Sequence, residues 1–231
     1  MATTRTYGQA CSAAHALDLV GERWALLVVR ELLLGPKRFT DLRVGLPHAS
    51  PNVLSLRLRE LEQAGVVRRR KLAPPAGSWV YELTDWGLEL EPVLLHLARW
   101  GGRSPLRDLT AGASVDALML ALRSGFDPES SGNLRATYAL LLGEDTFAAR
   151  VANGGLTVVR GDAPEPDAVI DTDARTFAAL ITHRLQLSEA LATNQVTLTG
   201  DADAVKRLLR ALATPHTAPV PTSEDPLRTP E

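Results

Sequence analysis

Lysine and arginine are concentrated in one stretch of the sequence, from Lys37 to Lys71. This stretch holds nine cationic and three acidic side chains, a net charge of +6 over 35 residues. Cations at this density can neutralise the phosphates of a nucleic acid and displace its counterions, which makes binding sensitive to salt. A run of like charges is also common on a solvated surface, so its neighbours in the sequence must separate the two interpretations.

Asn52 and Arg59 lie within the same stretch and carry groups that can recognise bases. An asparagine amide pairs with adenine through two hydrogen bonds, and an arginine guanidinium does the same with guanine. At about 100° per residue, both fall on the side of a helix opposite three leucines, at 54, 58 and 61. The sequence therefore favours a helix that presents polar side chains to a DNA groove. The alternatives are an ordinary surface helix and, for Arg57, an ion pair in place of a DNA contact.

The flanking residues predict where this helix begins and ends. Ser50 is a favourable N-cap, and Pro51 suits the first helical position because its missing N–H has no helical partner. Gly65 favours a stop after Ala64. Upstream, apolar residues at helical spacing predict two helices within 12–34, separated near residue 21, and Thr40 is expected to cap a short helix over 41–45.

Two β-prone runs, 66–72 and 79–83, are joined by a loop rich in Pro and Gly and predict a hairpin. Thr84 or Asp85 is expected to cap a last helix that ends near Trp100. Short helix, turn, longer helix and basic hairpin together are typical of a winged helix-turn-helix. On the hairpin, Arg69 and Lys71 alternate with two further arginines, so the four cations cannot all face one groove.

Residues 11–100 resemble the HxlR family, relatives of the MarR regulators, through separate blocks in a common order. The blocks are Cys11, LDLVG at 17–21, Trp24, RF at 38–39, LR at 42–43, SPNVLS at 50–55, RLREL at 57–61, AG at 64–65, YELT at 81–84 and WG at 86–87. The resemblance implies a bacterial transcriptional regulator that binds double-stranded DNA as a homodimer. Leu56 departs from the family, which commonly has a polar residue there.

The DNA-binding surface that we predict combines the start of the reading helix with its neighbours. Ser50 and the N–H groups beside it suit a phosphate, Leu56 suits a thymine methyl group, and Ser78 lies in the hairpin loop, where it suits the minor groove. The predicted residues are Arg38, Thr40, Ser50, Asn52, Ser55, Leu56, Arg59, Arg69, Lys71 and Ser78.

The helix expected over 86–100 carries more apolar residues than one core face needs. Together with the N-terminal helix it is the expected dimer interface, and the alternative is a helix buried within the monomer. A dimer would place two reading helices about one turn of DNA apart.

Composition divides the chain near a segment with Gly and Pro at 101–105. Residues 1–103 have a net charge of +4 and contain all four tryptophans, whereas the remainder has a net charge of −6. We therefore expect an α+β protein with a winged helix-turn-helix domain for DNA binding and dimerisation (1–103), an α/β domain (104–213) and a Pro-rich tail (214–231). In the α/β domain, strands are expected at 135–142, 146–152, 156–160, 168–172 and 196–199, and helices at 114–123, 176–181, 188–192 and 202–213.

The α/β domain resembles the sterol-carrier-like (SCP2) domain in four loose segments: GLTV at 155–158, PDAVIDTD at 166–173, ALA at 190–192 and VTLTGDA at 196–202. The resemblance implies an apolar cavity for a small lipid-like ligand, which could shift the protein between forms that do and do not bind DNA. Ordinary core packing is the alternative for the expected pocket residues, which are Leu140, Leu142, Phe147, Val151, Phe177, Leu180 and Leu185.

Other function classes find little support in the sequence. The five histidines lack metal-ligand spacing, and there is no phosphate-binding loop, dinucleotide fingerprint or serine nucleophile motif, so we expect no enzyme, metal or cofactor. Cys11, the single cysteine, falls where several HxlR relatives keep a redox-sensing thiol, so a thiol sensor is one alternative function and a lipid carrier is another. Without a signal peptide or an apolar run that could cross a bilayer, a cytoplasmic protein without membrane contact is expected.

Overall fold

The computed structural model describes residues 6–108, 111–213 and 218, which form a mixed α+β structure. A helical half that carries a two-stranded hairpin precedes a half built on a five-stranded sheet, as the sequence predicts. The domain limits at 103 and 213 stay a prediction, and the Pro-rich tail lies outside the described residues apart from residue 218. No helix in the described ranges has both the length and the apolar character needed to span a membrane.

The N-terminal half places one hairpin between two groups of helices. Its elements are α1 (Ser12–Val20), α2 (Ala25–Leu32), α3 (Phe39–Gly45), α4 (Pro51–Gln63), β1 (Val67–Lys71), β2 (Trp79–Leu83), α5 (Asp85–Leu88) and α6 (Leu90–Gly102). Ser50 Oγ accepts a hydrogen bond from the backbone N–H of Val53 at 3.4 Å, and Gly65 adopts a φ of +73° just after α4. The predicted beginning and end of α4 are therefore confirmed.

Two predicted helix starts differ from the structure. Thr40 is not a cap, because α3 begins earlier, at Phe39, and the backbone N–H of Arg38 donates to Asp41 Oδ2 at 2.9 Å. The Asp41 carboxylate, at the third helical position, thus reaches back to the residue before the helix, and Thr40 lies within α3. Thr84 does cap a helix, but this is the four-residue α5, and α6 follows it as a separate element.

The C-terminal half is a sheet with helices before, within and after it. Its elements are α7 (Val115–Gly125), α8 (Pro128–Ser131), β3 (Ala136–Leu142), β4 (Asp145–Ala152), β5 (Gly155–Arg160), β6 (Ala168–Thr172), α9 (Ala174–Ile181), α10 (Leu187–Ala192), β7 (Val196–Gly200) and α11 (Ala202–Arg210). The strand order is β5-β4-β3-β6-β7, and β3 and β6 run parallel while the other neighbours are antiparallel. The five expected strands are confirmed, whereas the short α8, capped by Asp127, was not predicted.

Helix α7 connects the two hydrophobic cores. Leu120 on α7 is buried in the N-terminal core, and Leu34, just after α2, packs against the C-terminal core. Arg99 Nε on α6 donates to the carbonyl of Ser124 at 2.8 Å. The two halves are therefore in direct contact through both apolar and polar groups.

A buried group of charged side chains also joins the halves, and we call it the ion cluster. Lys37 Nζ lies 2.9 Å from Glu31 Oε2 on α2 and 2.5 Å from Asp116 Oδ2 on α7. Arg30 Nη2 contacts Glu31 Oε1 at 2.7 Å, and Arg160 Nη2, at the end of β5, contacts Asp116 Oδ2 at 2.9 Å. The side chains of Glu31 and Asp116 are 0% and 1% exposed, so both carboxylates depend on these cations for compensation.

Glu31 stays ionised within the cluster. Burial alone would raise the pKa of Glu31, but Lys37 and Arg30, together with a hydrogen bond of 2.5 Å from the Ser114 hydroxyl, hold it below its ordinary value. Each buried carboxylate therefore has more than one donor. Removing a single cation would leave a charge that the protein interior cannot solvate.

The cluster also touches the helix-turn-helix and the hairpin. The backbone N–H of Lys37 donates to the Tyr81 carbonyl on β2 at 3.0 Å, and the Tyr81 N–H donates back at 2.8 Å. Gly45, the last residue of α3, approaches so closely that a Cβ there would lie 2.1 Å from Glu31 Oε2. The end of α3, the hairpin and α7 thus meet at one charged site.

Lys37→Ala should lower the free energy of unfolding by about 3–5 kcal/mol, because Glu31 and Asp116 lose the cation that they share. The control Lys71→Ala removes an exposed lysine and should change stability by less than about 0.5 kcal/mol. Urea unfolding followed by tryptophan fluorescence and by circular dichroism measures both variants. Equal midpoints for the two variants would show that the ion cluster contributes no stability.

Candidate nucleic-acid interface

Helix α4 presents its two candidate base-reading side chains to solvent. Asn52 and Arg59 are exposed, and Ser55 and Leu56 between them are half-buried. The opposite face is fixed in the N-terminal core by three leucines that are at most 1% exposed: Leu54, Leu58 and Leu61. The helix is therefore oriented as its sequence pattern predicts, with a polar outer face open to a partner.

The first residues of α3 and α4 add polar and cationic groups to the exposed surface. Arg38 and Thr40 are exposed at the start of α3, and Ser50 is exposed at the start of α4. The first N–H groups of a helix have no helical partners and carry its positive dipole end, so this end of α4 suits a phosphate.

Arg57 has a structural role on the inner side of α4. Its side chain is only 12% exposed and forms ion pairs with Glu60 on the same helix and with Glu22 in the turn between α1 and α2, the latter at 3.5 Å. The ion-pair alternative for Arg57 is therefore confirmed. Through Glu22, Arg57 links the middle of α4 to the turn between α1 and α2, and it does not belong to the outer face.

Glu82 on β2 divides the hairpin cations into two groups. Arg68 Nε contacts Glu82 Oε1 at 2.7 Å, and Arg70 Nε contacts Glu82 Oε2 at 2.9 Å. Burial would raise the pKa of Glu82, but the hydrogen bonds from Arg68 and Arg70 lower it, so the carboxylate is charged and partly neutralises both arginines. The sequence analysis missed Glu82, although the cross-strand register that places it opposite Arg68 is readable from the hairpin.

Arg69 lies on the other face of the hairpin, where aromatic rings orient it. Its guanidinium carbon is 4.5 Å from the Trp79 ring centroid and 5.9 Å from that of Tyr81. Lys71 is exposed, and the Ser78 hydroxyl in the loop donates to the Ala76 carbonyl at 3.0 Å. Stacking on an aromatic face restrains a guanidinium without neutralising it, so Arg69 keeps its charge for a partner.

Exposed apolar side chains cover much of α6 and part of α1. Leu97 is 44% exposed and Trp100 is 74% exposed, whereas Leu94 on the same helix is 3% exposed and belongs to the core. One side of α6 is thus buried within the monomer and another side is open. The other exposed apolar residues in the N-terminal half include Tyr7, Leu17, Leu88 and Val93.

Two family models match adjoining parts of the chain. Residues 19–107 match the model described as HxlR-like helix-turn-helix, and residues 106–218 match the one described as alkyl sulfatase C-terminal. The HTH-type transcriptional regulator YdeP from Bacillus subtilis is 39% identical over 95 residues, which are 40% of this chain and 73% of YdeP. This chain belongs to the HxlR-like helix-turn-helix family. The HxlR-like part is accordingly the DNA-binding region of a transcriptional regulator.

The matching solved structures named here each cover less than half of this chain. The reduced form of the transcriptional regulator YodB from B. subtilis is 32% identical, with 42% of this chain and 97% of YodB covered and a TM-score of 0.38. Diamide-treated YodB gives 33% identity, coverage of 41% and 94%, and a TM-score of 0.36. The inverting sec-alkylsulfatase Pisa1 from Pseudomonas sp. is 20% identical, with 46% of this chain but 17% of Pisa1 covered and a TM-score of 0.40.

Cys11 precedes α1 of the HxlR-like part and is exposed. The backbone N–H groups of Ala14 and then Ala13 lower the pKa of the Cys11 thiol, because they stabilise the thiolate at the helix start. Across the described residues, no group of three or more His, Cys, Asp and Glu side chains is arranged to hold a metal ion.

The expected ligand-pocket residues lie in the core of the C-terminal half. Six of them are buried, and Leu185 packs against them partly exposed. The family model matched by this half does not confirm the sterol-carrier resemblance, which stays a prediction. A crevice between α2 and α7, beside the ion cluster, has a volume of about 10 Å³ and holds at most a water molecule.

Proposed function

We propose that the protein is a sequence-specific, dimeric DNA-binding regulator that is controlled through its C-terminal half. One observation carries the proposal. Helix α4 presents a polar face to solvent, beside a hairpin whose Arg69 is charged and is oriented by the Trp79 ring. Membership of the HxlR-like family supports the assignment of this chain to the DNA-binding regulators. The relatives in that family are named as regulators, and with them we infer that the chain is not an enzyme.

Each side chain on the outward face of α4, which we call the reading face, and on the neighbouring elements has its own role in DNA recognition. Asn52 pairs with adenine, Arg59 pairs with guanine or a phosphate, and the half-buried Leu56 meets a thymine methyl group. The DNA backbone is bound at the starts of α3 and α4 by Arg38, Thr40 and Ser50, and one turn further along α4 by Ser55. From the hairpin, the neighbouring groove is approached by Arg69, Lys71 and Ser78. Arg68 and Arg70 contribute less, because Glu82 already binds both.

Dimerisation uses the open apolar side of α6 together with α1. Burying side chains such as Leu97 and Trp100 against a second copy removes apolar surface from water and sets the spacing of the two α4 helices. Val93, Leu97 and Trp100 are four and three positions apart, so they share one side of α6, and an exposed apolar stripe of this kind is typical of an interface.

Control by the C-terminal half acts through Lys37. Its side chain contacts Asp116 on α7 while its backbone pairs with Tyr81 on the hairpin, so a displacement of α7 reaches the DNA-binding surface directly. A small apolar ligand, as the sterol-carrier resemblance implies, would have to part the packed core residues around Leu140 and Phe147 to enter. Such an opening would move α7 and favour one of two DNA-binding states.

Arg59→Ala should weaken binding to the operator by about 1–3 kcal/mol, with the loss confined to the base pair that Arg59 reads. Arg150→Ala is the matched control, because Arg150 is exposed on the sheet of the C-terminal half, and it should leave the affinity unchanged. Binding sites are first mapped with genomic fragments, and affinities are then measured at two salt concentrations. Unchanged operator affinity for Arg59→Ala would remove Arg59 from the site. Loss of all fragments together as salt rises would favour the lipid-carrier alternative.

Leu97→Glu should convert the dimer to a monomer of 24.9 kDa and abolish operator binding, because a carboxylate would be buried in the apolar interface. Val159→Glu adds the same charge at a residue that is 58% exposed on the sheet, and it should remain dimeric. Sedimentation velocity reports the mass of both variants. A dimer that survives Leu97→Glu would place the interface elsewhere.

Thiol sensing through Cys11 is the second candidate, favoured by the exposure and lowered pKa of this thiol and by YodB having been solved in reduced and diamide-treated forms. One cysteine per chain permits only a disulfide between subunits or with a small thiol. Diamide should then change operator affinity in the native chain and leave Cys11→Ser unaffected. An equal response of both proteins to diamide would rule Cys11 out as the sensor.

A further inference from the structure

The C-terminal half contains a cleft that the regulator proposal does not use. It lies between α11 and the turn that follows α8, and its volume is about 370 Å³. This is within the usual range for sites that bind small molecules. Six residues line the cleft: Ser130, Ser131, Gly132, Asn133, Arg207 and Arg210.

The lining of the cleft is cationic. None of the six residues is acidic, and the two arginines lie three positions apart on α11, so they project from neighbouring positions of one helix surface. Arg210 Nε donates only to the Lys206 carbonyl, at 3.3 Å, and within the described part of the chain the Arg207 guanidinium forms no hydrogen bond or ion pair. Neither guanidinium therefore forms an ion pair with a carboxylate there, although Lys206 and, to a lesser extent, Arg210 lower the pKa of the nearby Asp203 carboxyl.

Two nearby acids, Asp127 and Asp203, already have partners of their own. The Asp127 carboxylate accepts the backbone N–H groups of Glu129 and Ser130, each at 3.2 Å, and Asp203 pairs with Lys206 at 2.9 Å. The hydroxyls of Ser130 and Ser131 donate to Asp127 and to the Pro128 carbonyl. The groups left to donate into the cleft are the two guanidiniums and the Asn133 amide.

We propose that this cleft binds the oxyanion of a small molecule, a sulfate, phosphate or carboxylate group. Guanidinium groups bind such oxygens through paired, charge-assisted hydrogen bonds, and an amide N–H adds a neutral donor. Arginines in the last turn of a helix also interact favourably with its dipole, but that role needs neither a concave wall nor Asn133 opposite them. The site stands independently of DNA binding, since it belongs wholly to the C-terminal half.

The test uses the full chain in the absence of DNA. Inorganic sulfate, inorganic phosphate and acetate are titrated separately at constant ionic strength, with calorimetry for affinity and the backbone amide resonances of Gly132 and Asn133 as a local readout. At least one of the three anions should shift these resonances saturably, and the preferred one identifies the oxyanion class.

The double substitution Arg207→Gln and Arg210→Gln should weaken the preferred anion by about tenfold or more, because it removes the charge-assisted hydrogen bonds. Asn133→Ala should weaken it less, and the control Lys206→Gln, next to Arg207 but paired with Asp203, should leave it within about twofold. The proposal is overturned if no anion produces saturable shifts. It is also overturned if Lys206→Gln costs as much affinity as the double substitution, since attraction would then be diffuse.

Discussion

Two carboxylates, Glu31 and Asp116, are buried where the halves of this protein meet, and the surrounding chain must keep cations against both. An unpaired charge in the interior costs several kcal/mol, so the residues that supply the cations cannot move independently. Lys37 contacts both carboxylates, and Arg30 and Arg160 complete the set from α2 and β5. The turn before α3, the start of α7 and the end of β5 are thereby fixed together.

Local rules of the sequence predict much of the N-terminal half. A hydroxyl cap, a proline and a glycine define α4, and the alternation of hairpin side chains separates Arg69 from its neighbours because both patterns depend on residues close in the chain. Thr40 shows the limit of such rules, since α3 begins at Phe39 and the Asp41 carboxylate binds the N–H of Arg38, the residue before the helix. The exposure and polarity of the reading face were thus predictable, but the exact start of α3 was not.

The ion cluster was not predictable from the sequence. Ser114 and Glu31 are 83 positions apart, and Lys37 and Asp116 are 79 apart, so no local spacing connects them. On its own, Glu31 has the pattern of an ordinary acid on an amphipathic helix. Glu31 becomes buried only because α7 packs against α2. That packing depends on the shapes of both hydrophobic cores together.

Charge counted along the sequence also differs from charge available at a surface. Arg57, Arg68 and Arg70 all belong to the basic stretch, yet each is held by a glutamate, and Glu82 lies outside that stretch. The C-terminal half has the opposite character, because its negative total conceals the two arginines of the α11 cleft. Net charge therefore indicates which half meets DNA, but not which side chains do so.

The close approach of Gly45 to Glu31 links two positions that look unrelated in the sequence. No left-handed backbone angle requires glycine at 45; the carboxylate occupies the space that a methyl group would need. A side chain at 45 would displace the Glu31 carboxylate, and Lys37 would then lose one of its two anionic partners. The last residue of α3, the first helix of the helix-turn-helix, is thus constrained by the contact with the C-terminal half.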